Sequence, residues 1–206
     1  VSTADLANCV DSTSFLGDSV SLTGVVTTRL DSNALTNTTR GQLWLRSGYG
    51  AFSGLNLIQF FDPSANGLSN VIPGDSIQVT GIMNEFNTET QISPYQGGPA
   101  IQIIGAGATI APSVVDLCDL NAVNRETHLV TGEEWEGQYI ELQNVTVTAV
   151  TPFSGGTRVS FDVQNAAGCK INVSDRFLVG RLPNGNPAGS FVAPNVGAQF
   201  VPLRGV

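Results

Sequence analysis

The sequence predicts an all-β protein made of two tandem β-barrels with few short helices, and three observations support this prediction. Short runs of β-branched and aromatic residues recur along the chain, with turn-forming residues between them. A strand motif at residues 17–24 returns at residues 74–81. Of the 206 residues, 41% are hydrophobic and only 13% are charged, so the chain can bury a sizeable core and lacks the composition of a disordered protein.

The predicted strands come from runs of alternating or continuous apolar residues. In chain order they span residues 19–28, 42–46, 55–61, 76–83, 100–104, 139–150, 158–164, 170–173 and 199–203. Turn signals rich in Asp, Asn, Gly and Pro separate them, as at residues 62–64 and 96–99. The helix candidates are short, and they span residues 2–9, 12–15 and 114–121. Many short strands with few helices are typical of a sandwich or a barrel.

The repeated motif is a Gly-Asp turn that leads into a strand. Residues 17–24 have the sequence GDSVSLTG and residues 74–81 have GDSIQVTG, and in each copy the final glycine permits a bulge or a bend. A weaker third copy at residues 197–205 contains one extra residue. In the first long strand of the second half, the inward-facing residues change from even positions, Ile140 and Leu142, to odd positions, Val145 and Val147. This change of phase predicts a bulge near Gln143 or Asn144.

The order of these segments divides the chain into two domains, residues 1–111 and 112–206. Each half has a short N-terminal element, a long first strand, a central hairpin and a glycine-led fourth strand, which is the arrangement of a five-stranded OB barrel. In the first half residues 84–104 supply the closing strand, whereas the second half stops after its fourth strand at residues 199–203. We expect its open edge to be completed by an N-terminal segment of the same chain, by a strand of another copy or by residues outside this sequence.

Several segments together carry a resemblance to a known group of proteins. They are residues 20–26 (VSLTGVV), 43–45, 57–60, 73–86 (PGDSIQVTGIMNEF), 90–92 and 135–147 (WEGQYIELQNVTV). In these segments the chain resembles OB-like β-barrel modules of bacterial secreted and surface proteins, of the kind often found beside extracellular endonuclease/phosphatase domains. The resemblance covers most of the chain and rests on structural glycines and strand residues.

The resemblance implies a secreted, extracellular protein and two alternative functions. The first is a non-catalytic module for binding or assembly, which contacts a neighbouring domain or other copies of itself and self-associates into a surface structure or filament. The alternative is an accessory region of a secreted nuclease or phosphatase that handles the substrate by binding nucleic acid or sugar.

The charge of the chain favours the first function. Nine basic and seventeen acidic residues give a net charge of −8, which disfavours nucleic acid because phosphate binding needs clustered basic residues. No run approaches the roughly 18 consecutive apolar residues that span a bilayer, so the sequence predicts no membrane span.

The sequence contains no catalytic constellation that we can identify. Its Gly-Asp-Ser motifs superficially match the nucleophile block of the Gly-Asp-Ser-Leu esterases, but that chemistry needs an Asp three residues before a downstream His. His128 is the single histidine, and the position three residues before it holds Arg125. One histidine and three widely separated cysteines do not give the usual spacing of a zinc site. We therefore predict a protein that is not an enzyme and needs no metal or cofactor.

The three cysteines allow at most one disulfide within the chain. Cys9 and Cys118 each follow an Asp-Leu pair near the start of one half, so they are the candidates for this bond. Two unrelated buried thiols are the alternative. Cys169 lies in a predicted turn and is expected to be free.

Four residues on the central hairpin of the first half are candidate ligand-binding residues, namely Trp44, Arg46, Tyr49 and Phe52. In OB folds the second and third strands and the adjoining loops usually bind the ligand, and exposed aromatic side chains stack on bases or sugars. Trp44 lies within a strand and has an alternative role as a core residue. Tyr49 and Phe52 lie in a glycine-rich loop, which favours their exposure.

Overall fold

The fold was established as a computed structural model. The structure describes residues 13–30, 41–60, 65–86, 89–96, 98, 100–120, 132–153, 158–175 and 193–206. The strands of these residues are β1 (Ser19–Leu30), β2 (Gly41–Arg46), β3 (Gly54–Gln59), β4 (Ser76–Phe86), β5 (Glu89–Pro94), β6 (Ile101–Gly105), β7 (Ser113–Val115), β8 (Ile140–Leu142), β9 (Val145–Phe153), β10 (Arg158–Gln164), β11 (Lys170–Ser174), β12 (Gln199–Phe200) and β13 (Leu203–Gly205). Two single-turn 3₁₀ helices span Leu68–Asn70 and Glu133–Trp135.

The all-β prediction is confirmed, and the helix predictions are mostly wrong or untested. The candidate helix at residues 2–9 lies outside the described residues. The one at residues 114–121 is wrong, because Ser113–Val115 pairs with β8 as a strand and the next residues form a turn. Val115 is buried while Val114 is exposed, which is the period-two alternation of a strand.

The first unit is a closed five-stranded barrel. Its strand order is β1-β2-β3-β5-β4, and β1 pairs with β4 to close the ring. β3 and β5 are parallel, and the other pairs of the ring are antiparallel. The closing strand β5 lies within the predicted region 84–104, and β6 adds a sixth strand to β4 outside the ring.

The first strand changes its pairing partner next to Gly24, and its register irregularity lies between Val26 and Thr28. Residues 19–25 of β1 pair with β4, and residues from Val25 onward pair with β2, so the strand changes partner at Val25. A Cβ atom on Gly24 would lie 2.9 Å from the carbonyl oxygen of Arg46, so the two backbones approach too closely for a side chain. The glycine that ends the first motif is therefore needed for the crossing of β1 and β2.

Alternate residues of the ring fill the interior of the barrel. The inward-facing leucines of β2 and β3 are fully buried, and Ile92 of β5 completes this layer. The core consists of Val20, Leu22, Val26, Leu43, Leu45, Leu55, Leu57, Leu68, Val71, Ile77, Val79, Met83, Ile92 and Ile101. Closure of the ring leaves these side chains almost no contact with solvent.

The second unit is a half-barrel built from two small sheets. One has the order β11-β10-β9-β12, and the other has the order β13-β8-β7. β8 and β9 are two parts of one strand, separated at Gln143 and Asn144, and Asn144 has a positive φ of 53°. The predicted change of phase is confirmed, because Leu142 and Val145 are both buried. The predicted bulge at these residues is wrong, since the strand is interrupted there, and the register irregularity of β9 lies at Thr148, opposite Asp162 and Val163. The predicted strand at 199–203 is likewise two strands, since Pro202 lies between them and has no N–H to donate.

The third copy of the motif has the same local geometry as the other two. Gly17, Gly74 and Gly197 have φ values of 83°, 96° and 90°, which a glycine adopts without strain. Gly74 N–H donates to the carbonyl oxygen of Val26 in β1, and Gly197 N–H donates to that of Val147 in β9. This geometry makes β12 and β13 the counterparts of β4, and β8 and β9 the counterparts of β1.

The disulfide prediction is wrong in its pairing. Cys118 is bonded to Cys169, with Cα atoms 5.1 Å apart, and so the predicted Cys9–Cys118 bond and the free Cys169 thiol are both incorrect. The turn after β7 places Cys118 beside the turn between β10 and β11, where Asn165 holds Cys169 N–H with its side-chain oxygen. Cys9 lies outside the described residues. The bond ties the start of the second unit to its central hairpin.

Candidate functional site

The second unit has a groove where the first barrel has its closing strand. In the first barrel β5 lies between β3 and β4. Their counterparts in the second unit are β11 and β13, and none of the described strands lies between these two. We call the space between β11 and β13 the strand groove.

The strand groove is an apolar cavity of about 340 Å³. Its apolar lining comes from three strands and consists of Ile140, Leu142, Ile171, Val173 and Leu203. These side chains pack on the core of the second unit, yet only Leu142 among them is fully buried. In the closed barrel the inward residues of β3, Leu55 and Leu57, are 1% and 0% exposed. The difference agrees with the strand orders, in which no described strand covers the interior of the half-barrel between β11 and β13.

One end of the strand groove is formed by the first barrel. Trp44 and Glu89 line this end together with Gly137, which precedes β8. Gly137 has a φ of 65° and lies against the backbone of Leu55, and a Cβ atom on Gly54 would lie 2.5 Å from the Gly137 carbonyl carbon. The two units therefore meet backbone to backbone at this end of the groove.

Side chains and backbone groups of residues 134–138 complete this junction. Phe52 N–H donates to the carbonyl oxygen of Glu134 at 2.7 Å, and Ser53 Oγ donates to Gln138 Oε1 at 3.0 Å. Both Ser53 and Gln138 are buried. These bonds hold the two units in one geometry at the junction. Breaking one of them would leave a polar group inside the protein without a hydrogen-bond partner, which is costly.

A carboxyl group with an unusual proton affinity lies in the same junction. Glu136 Oε1 accepts a 2.5 Å hydrogen bond from Thr90 N–H. The pKa of Glu136 is raised to about 9, mainly by burial. The hydrogen bond with Glu133 and the negative charges of Glu133 and Glu89 also raise this pKa, whereas the hydrogen bond from Thr90 N–H lowers it. The raised pKa favours the protonated, neutral form of Glu136 at neutral pH in the junction between the two units.

The predicted ligand-binding residues lie in three different places. Trp44 is 4% exposed on the outer face of β2 at the end of the strand groove, and Phe52, with a φ of 56°, lies at the junction. Arg46 and Tyr49 lie together at the opposite side of the hairpin. The burial of Trp44 agrees with its alternative role as a packing residue, although it packs between the units and outside the barrel core.

Arg46 is held by its own chain. Its Nη1 donates to the carbonyl oxygen of Ala111 at 2.6 Å, and its Nη2 donates to Tyr49 Oη and to the carbonyl oxygen of Thr109, both at 2.8 Å. The guanidinium carbon lies 4.0 Å from the centre of the Tyr49 ring, which is 69% exposed. Of the four predicted residues, Tyr49 is the one with an exposed ring.

Sequence reasoning missed the residues of the strand groove as a group. Ile171 and Val173 alternate with polar residues in β11, and this signal marks an inward face but does not show that the face is uncovered. His128 lies outside the described residues. Within the part of the chain that the structure describes, no three His, Cys, Asp or Glu side chains are placed to hold a metal ion.

Comparison with protein-family models and with curated proteins finds no match for this chain. Among the described helices, none has the length and apolar character needed to cross a membrane.

Proposed function

We propose that this chain is a non-catalytic, extracellular β module for binding or assembly, composed of two OB-like barrels of which the second is incomplete. The observation that carries the proposal is the strand groove, whose apolar floor is covered by none of the described strands between β11 and β13. The order β1-β2-β3-β5-β4 with parallel β3 and β5 supports the assignment of the first unit as an OB-like barrel.

The chemistry of the groove favours an extended polypeptide as its partner. Among the described strands, β11 and β13 are each at the edge of their sheet, and edge strands bind an added strand through main-chain hydrogen bonds. The apolar floor binds the side chains on one face of that strand. The net charge of −8 works against a nucleic-acid partner. The Cys118–Cys169 disulfide supports an oxidising, extracellular location.

A pair of matched variants tests this function. Val173→Lys places a charge on the groove floor, whereas Val114→Lys makes the same change at an exposed position of β7. We expect the unmodified chain to form concentration-dependent complexes in light scattering and electron microscopy. Val173→Lys abolishes them and Val114→Lys does not. Equal behaviour of the two variants would refute a role for the strand groove.

A second candidate is a sugar-binding accessory function at Tyr49. Its exposed ring lies over Arg46 at the edge of a cavity of about 490 Å³ that Ile104 and Thr109 also line. An exposed aromatic ring held in place by a cation is a suitable stacking surface for a neutral sugar. Binding of neutral oligosaccharides that is lost in Tyr49→Ala supports this function, and binding that is unchanged in that variant excludes Tyr49 as the site.

A further inference from the structure

We infer that the strand groove is filled by the N-terminal segment, residues 1–12, of a second copy of this chain. The inference rests on the proposed function, since it names the partner of the same groove. Three features carry it, and they are the direction that the added strand must take, the place where the described chain begins and the pattern of the segment.

The first barrel shows the direction of the added strand. Its closing strand β5 runs antiparallel to β4 and parallel to β3. A strand that closes the second unit in the same way runs antiparallel to β13 and parallel to β11. β13 ends at Gly205, which pairs with Ile140 just after the junction at Gly137. The added strand therefore starts at the end of the groove next to the first barrel and finishes at the far end.

The start of the described chain lies at the first-barrel end of its own groove. Thr13 N–H donates to Glu85 Oε2, the same oxygen accepts from Thr90 Oγ1, and the neighbouring Glu89 lines the groove. A segment that leads into Thr13 has its C-terminal end here. If residues 1–12 entered the groove of their own chain, they would finish at the first-barrel end, which is the opposite of the required direction. If they entered the groove of another copy from beyond its far end, they would start at the first-barrel end of that groove and run in the required direction.

The length and pattern of residues 1–12 suit the groove. Twelve residues in extended form span about 40 Å, and β5 uses only six residues to close the first barrel. Residues 2–9 are also a helix candidate, but the period-two pattern of the whole segment suits a strand: its even positions carry no charge and include Ala4, Leu6 and Val10, while Asp5 and Asp11 are at odd positions. β5 is similar, because Ile92 is its one large apolar residue and is fully buried among polar neighbours. In the groove Leu6 takes the place of Ile92.

This exchange is a head-to-tail contact that repeats. Each copy donates its segment to one neighbour and accepts a segment from another, so the two surfaces in contact are different and the contact does not close on itself by two-fold symmetry. Such a contact builds an open filament unless the rotation between copies closes a ring, and in either assembly the second unit of each copy is a completed barrel.

Complementary variants of the full chain test the inference. Leu6→Asp disables the donated strand, Val173→Lys disables the groove, and Ala7→Asp is the matched control at an odd position. We expect each of the first two variants to be monomeric by light scattering, Ala7→Asp to form filaments, and an equimolar mixture of Leu6→Asp and Val173→Lys to form a one-to-one dimer. Circular dichroism melts establish that each variant is folded.

A peptide gives an independent measurement if Val173→Lys fails to fold. A synthetic peptide of residues 1–12 should bind Leu6→Asp with one-to-one stoichiometry and shorten filaments of the unmodified chain, and the same peptide with Leu6→Asp should do neither. Filaments that persist in Leu6→Asp but are lost in Val173→Lys would show that another segment fills the groove, which overturns the inference and leaves the proposed function intact. Filaments that persist in both variants, or a chain that stays monomeric at millimolar concentration, overturn both.

Discussion

Replacing Glu136 with glutamine should stabilise the protein at neutral and alkaline pH. The carboxyl group is enclosed in the junction between the units, beside Glu133 and Glu89, and its pKa is raised to about 9. Glutamine keeps an oxygen that accepts the hydrogen bond from Thr90 N–H, and it has the same size as the protonated acid. The substitution thus retains the contacts of the neutral carboxyl group. It also removes the free energy that folding spends above pH 4.5 on protonating this carboxyl group or on burying its negative charge.

The size of this effect depends on pH. The pKa of Glu136 is about 9 in the folded protein against 4.5 for an unperturbed glutamate, so between these values the folded state holds a proton that the unfolded state has lost. The free energy of unfolding therefore falls as the pH rises through this window, by at most about 1.4 kcal/mol per pH unit, and it levels off above the folded-state pKa. At pH 7.5 the upper bound is about 4 kcal/mol, and solvent screening of this partly exposed side chain reduces the expected gain to about 1–3 kcal/mol.

Thermal denaturation followed by circular dichroism at pH 5, 6.5 and 8 measures the gain. A chain of this size changes its Tm by about 2–4 °C for each kcal/mol, so Glu136→Gln should melt several degrees above the unmodified protein at pH 8 and close to it at pH 5. Glu134→Gln is the matched control, because it removes one negative charge from the same helical turn. A Tm gain that does not grow with pH, or that Glu134→Gln reproduces, would refute the assigned environment of Glu136.

Two further predictions concern the junction and the disulfide. Gly54→Ala should lower the free energy of unfolding by about 1–3 kcal/mol in denaturant titrations, because its Cβ would overlap the backbone of Gly137. Gly105→Ala is the control, since the nearest contact of its Cβ is at 3.5 Å, and it should change the free energy of unfolding by less than about 0.5 kcal/mol. Equal effects of the two changes would contradict the tight junction. Cys169→Ser should cost about 2–4 kcal/mol because the bond to Cys118 closes a 51-residue separation, and a reducing agent should destabilise the unmodified chain but not the variant.

Local features of the fold could be predicted from the sequence because their causes are local. Period-two alternation identified most of the strands, and the Gly-Asp motif marked the turns before β1, β4 and β12. The phase change before Val145 located the interruption between β8 and β9, where Asn144 has a positive φ. β5 was not recognised as a separate strand, since the sequence ETQISP has only one large apolar residue and its alternation is weak.

Features that depend on which distant segments meet could not be predicted in this way. The sequence pattern favoured Cys9 as the partner of Cys118 because both follow an Asp-Leu pair, whereas the bond to Cys169 depends on the packing of two distant turns, which no local pattern shows. The raised pKa of Glu136 comes from burial in the junction with the first barrel, and this burial depends on the packing of segments that are distant in the sequence. The strand groove is equally non-local, because it is defined by the strand that the described second unit lacks.

The position of the second unit also bears on which surface is available for binding. The outer face of the second and third strands is the usual ligand face of an OB-like barrel. Here β2 and β3 are buried along their whole length on both faces, and Arg46 and Gly54 contact residues 109–111 and 137. The second unit thus covers that face at Gly54, and residues 109–111 at the end of the first unit cover it at Arg46. None of the described strands covers the interior of the second unit between β11 and β13. Because the apolar surface of the strand groove gains most from being covered, the groove and not the hairpin face is where a partner would be most strongly bound.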